Sequence, residues 1–475
     1  MFAFLRSREY WDRIIGSRST RIKKTHNSIA EIAERVAIRS QICESVYVNP
    51  EFNSRFTRVL TNPKENRTMN QVQQDILITR DLQTVVTESM RKYPIVTITG
   101  ARQTGKTTLA KMAAPHLPYV NLESPKERAF AEQDPQAFLK RYSEGAIIDE
   151  VQRVPEIASW LQVHVDAKGK NGLFILTGSQ NFSLMHALSQ SLAGRTAVLH
   201  LLPFSLKEFS SAHPFISSDD LMFNGFYPRI IQQRISPIRG YGDYVETYLE
   251  RDVRQIIEVR HLSTFRRFLT LCAGRVGQLL NKANLASDLG VDEKTIEAWL
   301  SALEASWIIF RLSPWSQSQT KRLIKSPKLY FYDVGLASFL LGIEHPSHIS
   351  SHPLRGNLFE NMVIAEFLKE RYHTGRRSNL FFYRDSASVE VDVVLEKVDS
   401  HDLVEIKSSQ TWTPALFASL KKVRHTLGNP VKHSWLIYDG SEDVLLDNDQ
   451  LRLVPLELLT KYISHIVGAH GQANL

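Results

Sequence analysis

Gly100-Ala-Arg-Gln-Thr-Gly105-Lys106-Thr107 is the stretch that decides the fold of this 475-residue chain. It fits the pattern G-x-x-x-x-G-K-[ST] at every fixed position. The β-rich run Pro94-Ile-Val-Thr-Ile-Thr99 precedes it, and the helix-forming run Lys106-Thr-Thr-Leu-Ala-Lys-Met112 follows, which is the context the motif requires. Glycines let backbone N–H groups curl around phosphate oxygens, and the N-terminus of the following helix adds partial positive charge. Lys106 is placed to reach the β- and γ-phosphates, and the Thr107 hydroxyl to bind Mg²⁺. Gly100, Ala101, Arg102, Gln103, Thr104, Gly105, Lys106, Thr107 and Thr108 are therefore the expected nucleotide-binding residues. The alternative, a chance match on an ordinary turn, has strand, motif and helix in register against it.

Moving outward, strand-like and helix-like stretches alternate, the mark of a mostly parallel sheet covered on both faces. Tyr119–Leu122, Ala146–Ile148, Leu173–Thr177 and Ala197–Leu202 read as further strands, with helix-compatible stretches at Pro125–Arg141 and Glu156–Ala167. Asp149-Glu150 closes the second of these strands. Asp149 is the expected Mg²⁺ ligand, and Glu150 the expected general base that polarises an attacking water. No Asn-Lys-x-Asp follows, so ATP rather than a guanine nucleotide is the expected ligand. Thr177, Ser179 and Gln180 lie at the tip of the strand expected beside the P-loop strand and are candidates to sense the γ-phosphate. Arg195 is a candidate arginine finger, with a surface or inter-domain ion pair as its plain alternative.

Composition adds limits. The net charge is +8, but residues 1–68 hold 13 Lys+Arg against 7 Asp+Glu and so carry +6 of it. The basic excess thus marks an N-terminal extension that either touches DNA, RNA or another acidic surface or is simply solvated. Met69 is a possible initiator, which leaves open whether residues 1–68 belong to the native protein. Cys43 and Cys272 have neither disulfide-framework nor metal-ligand spacing. With no apolar run long enough for a membrane span and no secretory signal, the expected location is the cytoplasm.

Residues 220–315 read as almost wholly helical. Within them, Asn284–Gly290 and Val291–Leu300 have the shape of a helix–turn–helix, with Gly290 at the turn and Asp292 as cap. The second helix, Asp292–Glu304, carries four acids against Lys294, which disfavours DNA phosphates and favours an inter-domain or protein contact. The basic run Lys321, Arg322, Lys325 and Lys328 is the better nucleic-acid candidate; a solvated basic turn is its alternative.

Towards the C-terminus, Glu360 lies on the helix Leu358–Leu368, Asp392 in Val389–Leu395, and Glu405 and Lys407 in Leu403–Ser408. Alternation along that last strand puts Glu405 and Lys407 on one face. The order E…D…E-x-K resembles the PD-(D/E)xK nucleases, whose sites use carboxylates for Mg²⁺ and a lysine for the nucleophile. Descendants of that fold without metal bind protein instead, so both readings stand.

Taken in order, Thr99–Thr108, Ile147–Gln152, Leu176–Gln180 with Gly194-Arg195, Tyr248–Arg254, Lys321–Lys328, Tyr330–Leu336, Gly356–Glu366 and Glu390–Lys407 resemble prokaryotic AAA-type ATPases. Members of that family carry a helix–turn–helix and a C-terminal nuclease-like domain. The resemblance covers residues 75–460 or so and implies an ATPase core without naming a substrate. The expected fold is α/β: a P-loop NTPase parallel sheet with helices on both faces, then a helical or winged-helix region and an α+β restriction-endonuclease-like domain. The expected boundaries are 1–74 for the basic extension, 75–212 for the ATPase domain, 213–350 for the helical region and 351–475 for the nuclease-like domain. The expected function is Mg²⁺-dependent ATP hydrolysis that moves a C-terminal domain acting on DNA or RNA. The alternative is an ATP-sensing regulator whose C-terminal domain binds protein; the oligomeric state stays open.

Overall fold

Ile95-Val-Thr-Ile-Thr99 (β1) is buried at all five positions, as a strand covered on both faces must be. In the computed structural model, which describes residues 77–178, 191–249, 262–316, 326–428, 430–446 and 450–468, β1 lies inside a five-stranded parallel sheet. The other strands are Tyr119–Asn121 (β2), Ala146–Asp149 (β3), Phe174–Gly178 (β4) and Thr196–His200 (β5), in the spatial order β2-β3-β4-β1-β5. Alternation sorts the two faces. Val96, Ile98, Ile147 and Ile175 pack with Leu82, Val86, Leu109 and Ala110 from the helices Leu82–Lys92 and Lys106–Ala113. On the other face Ile95, Ile148, Phe174 and Leu176 meet Phe138, Leu161 and Val165. The C-terminal ends of β1, β3 and β4 therefore converge on one edge, where ligands of open α/β sheets bind.

Short helices follow between residues 206 and 244. The helices Lys282–Leu289 and Glu293–Ala305 then form a pair. Gly290 supplies the left-handed turn at φ 68°, and Asp292 caps the second helix by accepting from Thr295 N–H at 2.6 Å. The four acids of that second helix are partly consumed inside the molecule. Arg311 pairs with Glu297 at 2.9 Å and with Glu304 at 2.5 Å, and Lys282 pairs with Glu297 at 3.2 Å. Arg311 belongs to Ile309–Leu312 (β6), which pairs antiparallel with Lys328–Phe331 (β7), so the stretch expected to be almost wholly helical ends in a strand. Tyr248–Arg254 and Lys321–Lys328, which support the resemblance, extend into residues outside those described.

The final part holds a six-stranded mixed sheet. Its strands are Leu380–Arg384 (β8), Glu390–Glu396 (β9), His401–Lys407 (β10), Val431–Tyr438 (β11), Val444–Leu446 (β12) and Leu451–Pro455 (β13), in the order β12-β13-β11-β10-β9-β8. One face packs Leu403, Leu436 and Val394 against the helix Ala418–Leu427. The other packs Val404, Ile406 and Ile437 against the 19-residue helix Arg355–His373 and the helix Leu459–Ile466. Thirteen of those 19 residues are buried, polar ones included, so this helix is an axle with neighbours all round rather than a surface element.

Candidate functional site

The loop between β1 and the Lys106–Ala113 helix holds backbone that side chains other than hydrogen tolerate poorly. Gly100 has φ 147°, and a Cβ there would lie 2.1 Å from the Leu201 carbonyl oxygen. Gly105 has φ 89°. Gln103 has φ 63°, a left-handed conformation that costs a non-glycine residue energy and tends to persist where function demands it. Inside the loop Lys106 is 7% exposed, and its Nζ donates to the carbonyls of Gly100 at 3.0 Å and Ala101 at 2.7 Å. The ammonium is thus held in the loop's own cradle.

Asp149, at the end of β3, faces the start of that helix. Thr107 Oγ1 donates to Asp149 Oδ2 at 2.9 Å and Tyr119 O–H to the same oxygen at 2.8 Å, while Thr177 Oγ1 from β4 donates to Oδ1. Burial, then the hydrogen bond to Asp149, pushes the Tyr119 phenol far up, so it stays a neutral donor. A carboxylate and a threonine hydroxyl at hydrogen-bond distance make an oxygen-rich pair that fits Mg²⁺. Glu150 follows at φ 57° and accepts from Gln152 Nε2. The structure thus brings together Gly100–Thr108, Asp149, Glu150 and Thr177. Ser179 and Gln180 lie outside the described residues.

Arg195 is not brought to this site. It precedes β5 at the end where Thr196 pairs with Ile95, whereas the loop leaves β1 at Thr99 beside His200. Its guanidinium makes a two-pronged ion pair with Asp166 at 2.7 and 2.8 Å. The parallel register fixes this outcome: the arginine is a whole strand length from the loop, and the plain alternative of an ion pair is the one observed.

The C-terminal acids do converge, but around a lysine. Lys328, which the basic run Lys321–Lys328 suggests as a nucleic-acid contact, is 3% exposed at the start of β7. Its Nζ lies 3.1 Å from Glu360, 2.5 Å from Glu390 and 4.0 Å from Asp392. Pairing of β7 with the axle helix, through Phe331 N–H to Asn361 Oδ1 at 2.7 Å, turns the lysine inward. Lys321, Arg322 and Lys325 lie outside the described residues. Lys407 Nζ contacts Glu405 at 2.6 Å and Asp392 at 3.9 Å, with Ile406 buried between them on the opposite face. Asp392 Oδ2 accepts from Ile406 N–H at 2.8 Å, and Tyr330 O–H donates to Glu360. Burial, then the Asp392 charge, raises Glu360 to about 7 and Glu405 to about 8.

This donor set does not fit a divalent cation. The ammonium of Lys328 lies where the carboxylates point, and among the described residues no group of three His, Cys, Asp or Glu side chains is arranged to hold a metal. As members of this cluster, Lys328 and Glu390 are absent from the expectations drawn from sequence. Glu390 was legible as the residue two before Asp392 on the same strand face, but Lys328 depends on tertiary pairing.

Comparison with known proteins agrees with the loop. Residues 92–210 match the family described as AAA domain, and residues 217–347 and 355–459 match two domains of unknown function, DUF8612 and DUF4143. Uncharacterized proteins of Mycobacterium tuberculosis (strain H37Rv) and Mycobacterium bovis are each 30% identical over 346 residues, covering 72% of this chain and 76% of theirs. Among solved structures, the Walker-type ATPase of Pyrococcus abyssi is 15% identical, covering 56% of this chain and 96% of its own at a TM-score of 0.38. A RuvB variant of Thermotoga maritima is 19% identical over 48% of this chain and 87% of its own, at a TM-score of 0.27. With its phosphate loop and five-stranded parallel sheet inside the matched AAA domain, the chain carries an AAA-type P-loop domain and belongs to the same family as the two mycobacterial proteins.

Proposed function

We propose that this protein hydrolyses ATP with Mg²⁺ and that the rest of the chain responds to the nucleotide. The observation that carries the reading is the contact of Thr107 with Asp149 at 2.9 Å, which ties the phosphate loop to the acid end of β3. In it, the amides of Gly100–Thr108 receive the phosphates, and Lys106 turns its ammonium from the loop carbonyls to the β- and γ-phosphates. Thr107 and Asp149 hold the Mg²⁺, which when bound neutralises charge on the transferred phosphoryl group. Glu150 takes the proton of the attacking water, and Gln152 orients its carboxylate. Ser179 and Gln180 are proposed to sense the γ-phosphate. Arg195 has no role at its own chain's loop in this reading.

The division into an ATPase module at 75–212, a helical region at 213–350 and a C-terminal body at 351–475 belongs to the same proposal. Of the two roles open to that body, the seat of Lys328 favours a binding module over a metal-dependent nuclease. The helix–turn–helix, with Glu297 and Glu304 tied to Arg311, is read as an internal contact rather than a DNA reader. Among the described residues no helix is long and apolar enough to cross a membrane.

The test is ATP turnover by purified protein with and without Mg²⁺, DNA and RNA. Turnover that needs Mg²⁺ and vanishes in Lys106→Ala supports the ATPase reading; turnover that survives Lys106→Ala sinks it. Stimulation by DNA or RNA identifies the partner as nucleic acid. Mg²⁺-dependent cutting of either, lost in Asp392→Ala, overturns the binding-module reading.

A further inference from the structure

Arg80 stands outside every motif of the sequence, yet its guanidinium is buried behind the phosphate loop at 4% exposure. Nη1 donates to the Thr104 carbonyl at 2.6 Å, and Nη2 donates to the Leu202 carbonyl at 2.7 Å, just beyond β5. Nε lies 3.0 Å from Glu208 Oε1, and the group rests over the Phe204 ring at 4.9 Å. One planar fork thus joins three separate segments, which a lysine cannot copy because its ammonium is a point charge on a flexible stem.

Glu208 is held in turn. It accepts from Asp81 N–H at 2.7 Å and Ser205 N–H at 2.9 Å, and faces His373 Nδ1 at 3.5 Å. His373 ends the axle helix, and its Nε2 accepts from Leu202 N–H at 3.3 Å. About two turns earlier on that helix, Glu366 accepts from Leu206 N–H at 2.6 Å, with Lys369 pairing to its other oxygen at 2.6 Å. Burial lowers His373 to about 4 against the pull of Glu208, so at neutral pH the imidazole is neutral and Arg80 is the cation beside Glu208. Glu360 sits 13 residues earlier on the helix, about 20 Å along the axis at 1.5 Å per residue.

We propose that Arg80 is a positioning residue for the nucleotide: it fixes the Thr104 peptide of the phosphate loop and is itself held by Glu208, Leu202 and the end of the axle helix. The proposal rests on the ATP reading of the loop and deepens it, because it makes the geometry of the loop depend on a helix of the C-terminal body. A change in nucleotide at the loop and a shift of that helix then share one set of buried hydrogen bonds.

The experiment measures equilibrium binding of a fluorescent ATP analogue, and ATP turnover, for wild type, Arg80→Lys, His373→Phe and the double variant of the full chain. Arg80→Lys is expected to weaken binding about tenfold, as loss of a charged hydrogen bond does, and to raise KM more than it lowers kcat. His373→Phe, which touches no loop residue, is expected to shift affinity the same way by less. The double variant is expected to bind as Arg80→Lys alone does, since His373 acts through the same segment. Arg80→Lys with wild-type affinity, or single effects that simply multiply, overturns the proposal. If Arg80→Lys does not fold, as judged by thermal melting, a folded His373→Phe with wild-type affinity overturns it instead. Should wild type bind no ATP, the reading of the loop falls as well; normal wild-type binding with an unaffected Arg80→Lys removes Arg80 alone.

Discussion

Glu150 has a left-handed backbone at φ 57°, and its carboxylate accepts from Gln152 Nε2. If it is the general base, Glu150→Gln lowers kcat by about 10²–10⁴ and leaves ATP binding intact, which single-turnover and binding measurements separate. At the other cluster, Lys328 neutralises the largely buried Glu360 and the half-buried Glu390. Replacing it by Met leaves buried like charges, and Lys328→Met is expected to cost about 3–5 kcal/mol of unfolding free energy in urea. Adding Glu360→Gln is expected to recover part of that loss; a double variant as unstable as the sum of both singles would refute the pairing. The two residues differ in how readable they were. Asp149-Glu150 follows an apolar run and announces itself, whereas Lys328 sits in a sequence of cations, and local charge pattern points such a residue outward until β7 pairing turns it in.

At the scale of elements, capping and alternation carried the reading. Asp292 was legible as the cap of Glu293–Ala305 because its side chain reaches the amide three residues on. Asp292→Ala should lower stability, read as a lower urea midpoint at constant slope. Strand β10 provides a test in pH. Glu405 has a folded-state pKa of about 8, raised by burial and then by Asp392, against 4.5 for an ordinary glutamate. Between those values the unfolded chain has released a proton that the folded chain keeps, so this residue makes stability fall as pH rises. Glu405→Gln removes that slope, and its stability relative to wild type is expected to climb from pH 5 to pH 8. A difference that stays flat across this range contradicts the raised pKa. What alternation did not reveal is how far apart two ends of a strand lie in function: Arg195 and the loop share neighbouring strands, but parallel register puts them at opposite edges of the sheet.

Across the whole molecule, the parallel sheet was legible because its central strands β1, β3 and β4 are short apolar runs buried at every position. The sheet order was less so, since pairing of β4 with β1 is a long-range choice, though the motif makes a polar strand tip beside the loop a reasonable expectation. The contact between the two bodies was not legible. Arg80, Glu208, Glu366 and His373 are ordinary polar residues in sequence, and only packing brings Thr104 and Leu202 within reach of one guanidinium and Leu202 within reach of the axle helix. That packing has a bearing on how such proteins can diversify. The amides of Leu202 and Leu206 find their acceptors on the helix Arg355–His373, so a chimaera that imports a foreign C-terminal third strands two buried donors unless the new helix carries equivalents of Glu366 and His373. Recombination between relatives should therefore fare poorly at a crossover near residue 350 unless those two acceptors are kept.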